Sequence, residues 1–98
     1  MREITINGKK IEIICLTREQ FRDSGLEDLG YGMFGMDTQA AVALSPKGRK
    51  EAVDKFILTT TNLGPEDLYS HGFTWKDLLK IYRECQKENY GSEEEEKN

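Results

Sequence analysis

Gly30, Gly32 and Gly35 stand at G-x-G-x-x-G spacing. In a dinucleotide-binding loop this spacing lets the backbone approach a pyrophosphate at a helix N-terminus, directly after a buried strand. Here Leu26, Glu27, Asp28 and Leu29 precede it, which do not read as a buried strand, and no strand–helix–strand unit surrounds it. Gly32 and Gly35 also fit a G-x-x-G pair, without the basic residues a nucleic-acid clamp uses. The spacing therefore predicts a tight loop that buries Tyr31, Met33, Phe34 and Met36 against the core. The alternative is an adaptable apolar surface of Met and aromatic side chains offered to a partner. These four residues form the candidate partner-binding set.

Nucleophiles and metal ligands are few. His71 is the single histidine. A Cys/His pair with Cys15 or Cys85 would need a third group to orient it, and none is signalled. No His, Cys, Asp or Glu spacing matches a metal site, and no cofactor motif is present. Two cysteines are too few for a disulfide framework. Cys15 and Cys85 fall on expected apolar faces, so they read as buried free thiols. The expectation is a non-enzymatic chain with no cofactor and no metal.

Two basic groups remain. Lys47, Arg49 and Lys50 follow Ser45-Pro46 at an expected helix start, where N–H groups and cations together could hold a phosphate. Lys76, Lys80, Arg83 and Lys87 share one arc of a C-terminal helix and could meet phosphates or an acidic partner. A solvated face with weak ion pairs is the simpler reading of both. The formal charge is −4, but residues 92–98 carry four Glu and one Lys, leaving 13 basic and 14 acidic residues in 1–91. A near-neutral body argues against both a broad basic field and an acidic mimic of nucleic acid.

The elements that would position these groups are legible in part. Residues 74–88 read as an amphipathic helix with Thr74 as N-cap and Asp77 in the first turn. Its expected core stripe is Trp75, Leu78, Leu79, Tyr82 and Cys85, with Ile81 on the flank. Residues 2–15 read as a hairpin about Asn7-Gly8, the preferred pair of a type I′ turn. That turn places Ile4, Ile6, Ile11 and Ile13 on one face, with Cys15 continuing it. Thr17 and Gln20 have capping-box spacing before a helix over 18–24, and Gly25 stops it. A single helical turn follows at Leu26 and Leu29.

Residues 39–44 favour helix, with a third strand as the alternative. Ser45-Pro46 opens another helix, whose second half, 56–61, has strong strand propensity. Pro65 opens a short helix ending at Gly72. Residues 90–98 form an acidic tail that does not order.

A chain of 98 residues is one domain, assigned to 1–89 ahead of the tail. The fold class is α+β: an N-terminal antiparallel hairpin packed against several short helices and a longer C-terminal helix. The expected core is Ile4, Ile6, Ile11, Ile13, Phe21, Val42, Val53, Phe56, Ile57, Leu68, Trp75, Leu78, Leu79 and Tyr82. The expected function is a small protein-binding or regulatory module, an inhibitor or accessory factor acting by surface contact, in the general style of such factors in phages and mobile elements. The alternative is nucleic-acid binding through a helix-turn-helix over 65–88. No signal peptide or membrane span is read, so the expected location is cytoplasmic.

Overall fold

Four isoleucines in a two-stranded ribbon cannot stay folded alone in water, so their face must be covered. The computed structural model describes residues 2–32, 35–36, 39 and 43–91 and shows what covers it. Strands β1 (Arg2–Ile6) and β2 (Lys9–Ile13) pair antiparallel, with Arg2 opposite Ile13, Ile4 opposite Ile11 and Ile6 opposite Lys9. This is the register a two-residue turn dictates. Asn7 and Gly8 both take positive φ, 53° and 78°, as a type I′ turn requires. Ile11 and Ile13 are fully buried, Ile6 nearly so, and Ile4 partly.

Beyond Ile13 the chain leaves the ladder. Ile14 donates its N–H to the Thr60 carbonyl at 2.7 Å, and Ile13 bridges Thr61. The strand alternation ends there, and Cys15 is exposed rather than continuing the isoleucine face. Helix α1 (Arg18–Ser24) carries the expected Thr17–Gln20 capping box and stops at Gly25 in the left-handed conformation. A 3-10 turn over Leu26–Leu29 buries Leu26. Strands β3 (Tyr31–Gly32) and β4 (Gly35–Met36) then pair antiparallel. The glycine motif is thus a second, minimal hairpin. Met33, Phe34 and Val42 lie outside the described residues; Gln39 and Ala43, at either side of Val42, are helical.

Helix α2 (Pro46–Thr60) starts at Ser45, whose hydroxyl accepts from the Gly48 N–H. The strand-prone run 56–60 stays helical. Thr59 and Thr60, and Thr61 just past the helix, each donate a hydroxyl to the carbonyl four residues back, at 2.6–2.7 Å. Only the Ile57 carbonyl belongs to the last turn, and the Thr60 carbonyl is taken by the Ile14 N–H; the other two back-bonds give the Thr59 and Thr60 hydroxyls a partner. The short helix predicted after Pro65 is a 3-10 helix (Pro65–Tyr69) that ends before Gly72. His71 and Gly72, both at positive φ, redirect the chain into helix α3 (Trp75–Tyr90), which opens on the Thr74–Asp77 capping box.

Two asparagines fix α3 to the ribbon. At one end the Asn7 amide donates to the carbonyls of His71 and Gly72 and to the Asp77 carboxylate, at 3.1–3.4 Å. At the other, Asn89 accepts from the Leu16 N–H at 2.8 Å and donates to the carbonyls of Ile14 and Cys85, both at 3.0 Å. Its amide pairs with the chain leaving β2 as a neighbouring strand would. Arg2 adds an ion pair to Glu84. The sequence reading placed Asn89 next to the tail; instead α3 runs through Tyr90, whose ring stacks on Phe56 with centroids 6.2 Å apart.

The covered ribbon and α2 share one core: Ile6, Ile11, Ile13, Leu26, Tyr31, Ala52, Phe56, Ile57, Leu63, Leu68, Ile81 and Cys85. Phe21, Val53, Leu78 and Tyr82 pack at its margin. Trp75 and Leu79, both expected inside, are exposed.

Asn89→Ala leaves two partly buried backbone groups near Ile14 and Leu16 without their partner. It is expected to cost about 2 kcal/mol, seen as a lower urea midpoint at unchanged slope. Asp77 is held below its ordinary value of 3.8, first by the Thr74 N–H it accepts and then by the Thr74 and Asn7 side chains. A carboxylate lowered on folding stabilises above its unfolded pKa, and that contribution fades as pH falls through the folded value. Between about pH 5 and pH 3 the urea midpoint of Asp77→Asn should therefore fall less than that of the wild type.

Candidate functional site

The rotation of α3 decides what the protein shows to solvent. At 100° per residue the buried side chains Ile81 and Cys85, with the flanking Leu78, Tyr82 and Asn89, centre about 40° away from the stripe that hydropathy predicts. An aromatic cluster holds this rotation. Tyr31 stacks on Phe56 at 4.7 Å, and Tyr82 meets Phe56 edge-on at 5.5 Å. The Tyr31 hydroxyl donates to the Ala52 carbonyl at 3.2 Å and lies 2.9 Å from the Tyr82 hydroxyl, which donates to it in turn. Burial pushes the pKa of all three tyrosines, Tyr31, Tyr82 and Tyr90, upward, so they stay protonated.

With that side turned inward, Trp75 and Leu79 face out, 67% and 45% exposed, one turn apart on the same side of the helix. Tyr69, 78% exposed, lies across the same groove as Trp75. Tyr69 and Trp75 line a groove of about 460 Å³ between α2 and the start of α3, floored by Leu68, Phe73 and Leu78. Lys50 steadies its rim. Its ammonium lies 3.1 Å from the Tyr69 hydroxyl, 5.3 Å from the ring centre and 3.4 Å from Asp54. The hydrogen bond to Tyr69, then Asp54, raises the Lys50 pKa.

The basic candidates divide. Lys76, Lys80, Arg83 and Lys87 are all exposed on one arc of α3, directly beside the Trp75–Leu79 side. Among the described residues Lys76, Lys80 and Arg83 form no ion pair, while Lys87 lies 3.9 Å from Glu84. Lys47, Arg49 and Lys50 instead point to three sides of α2, and Lys50 is engaged by Tyr69 and Asp54, so the structure brings no phosphate cradle together there. Tyr31 is 2% exposed and belongs to the core, the first of the two readings of its loop. Met36 joins β4, and Met33 and Phe34 fall outside the described residues.

The thiol–imidazole pairing finds no geometry. The His71 ring sits 3.3 Å from Asp67 and 5.7 Å from the Phe73 ring. Cys85 is buried, and burial pushes its thiol up to about 11, so it is no thiolate at neutral pH. Among the described residues no group of three His, Cys, Asp or Glu side chains is placed to hold a metal ion. A second, wider depression of about 1060 Å³ lies between α1 and the end of α3. Its lining sets Leu16, Phe21, Phe56 and Tyr90 among Arg18, Glu19, Arg22 and Glu27, so it is nearly as polar as apolar, whereas the Tyr69–Trp75 groove is mostly apolar.

Comparison with protein-family models, curated proteins and solved structures finds no match to this chain. The residues that sequence reasoning missed are Tyr69, Trp75 and Leu79 as a surface. The available signal was Asn89: counting it with Ile81 and Cys85 as inward-facing turns the stripe away from Trp75. Trp75→Ala should accordingly change stability by no more than about 0.5 kcal/mol. Ile81→Ala, one and a half turns on, should cost about 2–5 kcal/mol. Urea unfolding of the two variants checks the rotation directly.

Proposed function

We propose that this protein is a small protein-binding module that acts by surface contact rather than by catalysis, through the side of α3 bearing Trp75 and Leu79 together with Tyr69. One observation carries the reading: Tyr69 and Trp75, both largely exposed, line the mouth of an apolar groove, and Leu79 is exposed one turn on from Trp75. Trp and Tyr dominate binding energy at protein interfaces, where they fill pockets and exclude water. A folded chain keeps such side chains out of water unless a partner covers them at work. Lys50 holds the Tyr69 ring in place before any partner arrives, which lowers the ordering cost of binding.

Two unpaired thiols, Cys15 and Cys85, suit a reducing compartment, and a cytoplasmic setting is part of this proposal. Among the described residues no helix is long and apolar enough to cross a membrane. An inhibitor or accessory factor is the role such a contact surface fits. Against the nucleic-acid alternative stand the near-neutral body and a first helix of only five residues, in 3-10 form.

The test is affinity capture with the full chain and with Tyr69→Ala/Trp75→Ala, both checked for folding by circular dichroism. Proteins retained by the wild type should be lost by the double variant, and for a captured partner Trp75→Ala alone should weaken binding by about 2 kcal/mol or more. Retention of the same proteins by both chains overturns the assignment of this surface.

A further inference from the structure

We infer that the partner seated on α3 is an acidic amphipathic protein segment, with apolar anchors for the Trp75 groove and carboxylates for the row beside it. The inference rests on the contact reading above and adds the partner's chemistry. Its basis is the way charge is sorted around α3. Trp75 and Leu79 form an apolar strip, and Lys76, Lys80, Arg83 and Lys87 occupy the adjacent arc, all exposed. The acids of the same helix, Asp77, Glu84 and Glu88, lie on the far side, and two of them are engaged within the fold. Asp77 caps the helix and accepts from Asn7, and Glu84 pairs with Arg2. Lys76, Lys80 and Arg83 have no ion-pair partner among the described residues. The outward half of α3 is therefore apolar, then positive, with no carboxylate between.

A partner that buries the apolar strip must bring its flank over the cations. A basic flank would be repelled and a neutral one would desolvate three ammonium and guanidinium groups without compensation; only an acidic flank returns hydrogen-bonded charge to each. Duplex DNA carries the negative charge but no apolar ridge to enter the groove between Leu68, Phe73 and Leu78. The near-neutral body, 13 basic against 14 acidic residues in 1–91, supplies no wider field to attract it.

Trp75 is the sole tryptophan, so its fluorescence reports occupancy of this site without a label. The full-length protein is titrated with a synthetic helical peptide bearing leucine on one side and glutamate on the other. The same peptide with lysine for glutamate, and a duplex DNA, are titrated in parallel. The acidic peptide should shift Trp75 emission to the blue, and its affinity should fall as salt rises. Lys76→Glu/Arg83→Glu should bind it roughly tenfold more weakly while folding normally, since both residues are exposed. The lysine peptide should give no response.

Equal responses to the two peptides, or none to the acidic one, overturn the inference. So does a stronger response to duplex DNA, or sedimentation showing that the site is filled by a second copy of the chain. Partners captured through Tyr69 and Trp75 that remain bound by Lys76→Glu/Arg83→Glu would end the acidic assignment and leave the contact reading standing.

Discussion

The amide of Asn89 is the interaction on which the rest of the structure depends. It accepts one backbone N–H and donates to two carbonyls, and two of those three groups belong to the chain leaving β2. A helix packed on a ribbon by isoleucines alone could roll, because apolar burial has no direction. Hydrogen bonds to partly buried backbone do have direction, and an unmet one is costly. Asn89 fixes the rotation at one end of α3. Asn7, already obliged by the hairpin turn to take positive φ, fixes it at the other. One residue thus closes the turn and locates the helix.

Once the rotation is set, the division between inside and outside follows. Tyr82 and Tyr90 swing onto Phe56, and Tyr31 closes the cluster from β3. Each aromatic pair adds stacking or edge contact to its burial, and the Tyr31–Tyr82 hydroxyl pair satisfies two polar groups there. Trp75 and Leu79 are displaced to the surface by this arrangement. Their exposure is a consequence of better partners elsewhere, and it is what gives the protein a face to offer.

Local rules were legible in the sequence wherever they act over a few residues. The Asn7-Gly8 register, the Thr17–Gln20 box, the Ser45 and Thr74 caps and the stop at Gly25 all follow from near neighbours, and all stand as read. The helix over 56–60 resisted because Phe56, Ile57, Thr59 and Thr60 favour strands; burial of Ala52, Phe56, Ile57 and Thr60 on one side of a helix overrides that local preference. The outward turn of Trp75 resisted for a different reason. Hydropathy counts Trp as core and Asn as surface, and here Asn89 serves as a backbone surrogate. The acidic C-terminal side of the sequence also drew Tyr90 into the tail, although it is the last residue of α3.

The end of α2 carries one more implication. Thr61 bridges Ile13, the Asn62 side chain accepts from the Glu12 N–H at 3.0 Å, and Asn89 takes the groups at Ile14 and Leu16. The outer edge of β2 is therefore closed, by side chains more than by a strand. Open sheet edges are templates for strand addition and for fibrillar stacking. The covered part of β2 runs from Glu12 onward, and the outer edge of β1, five residues long, carries Arg2, Glu3 and Thr5. Strand addition is obstructed along the second half of β2 and discouraged by charge along β1, which offsets the hazard of so many β-branched residues at the start of the chain.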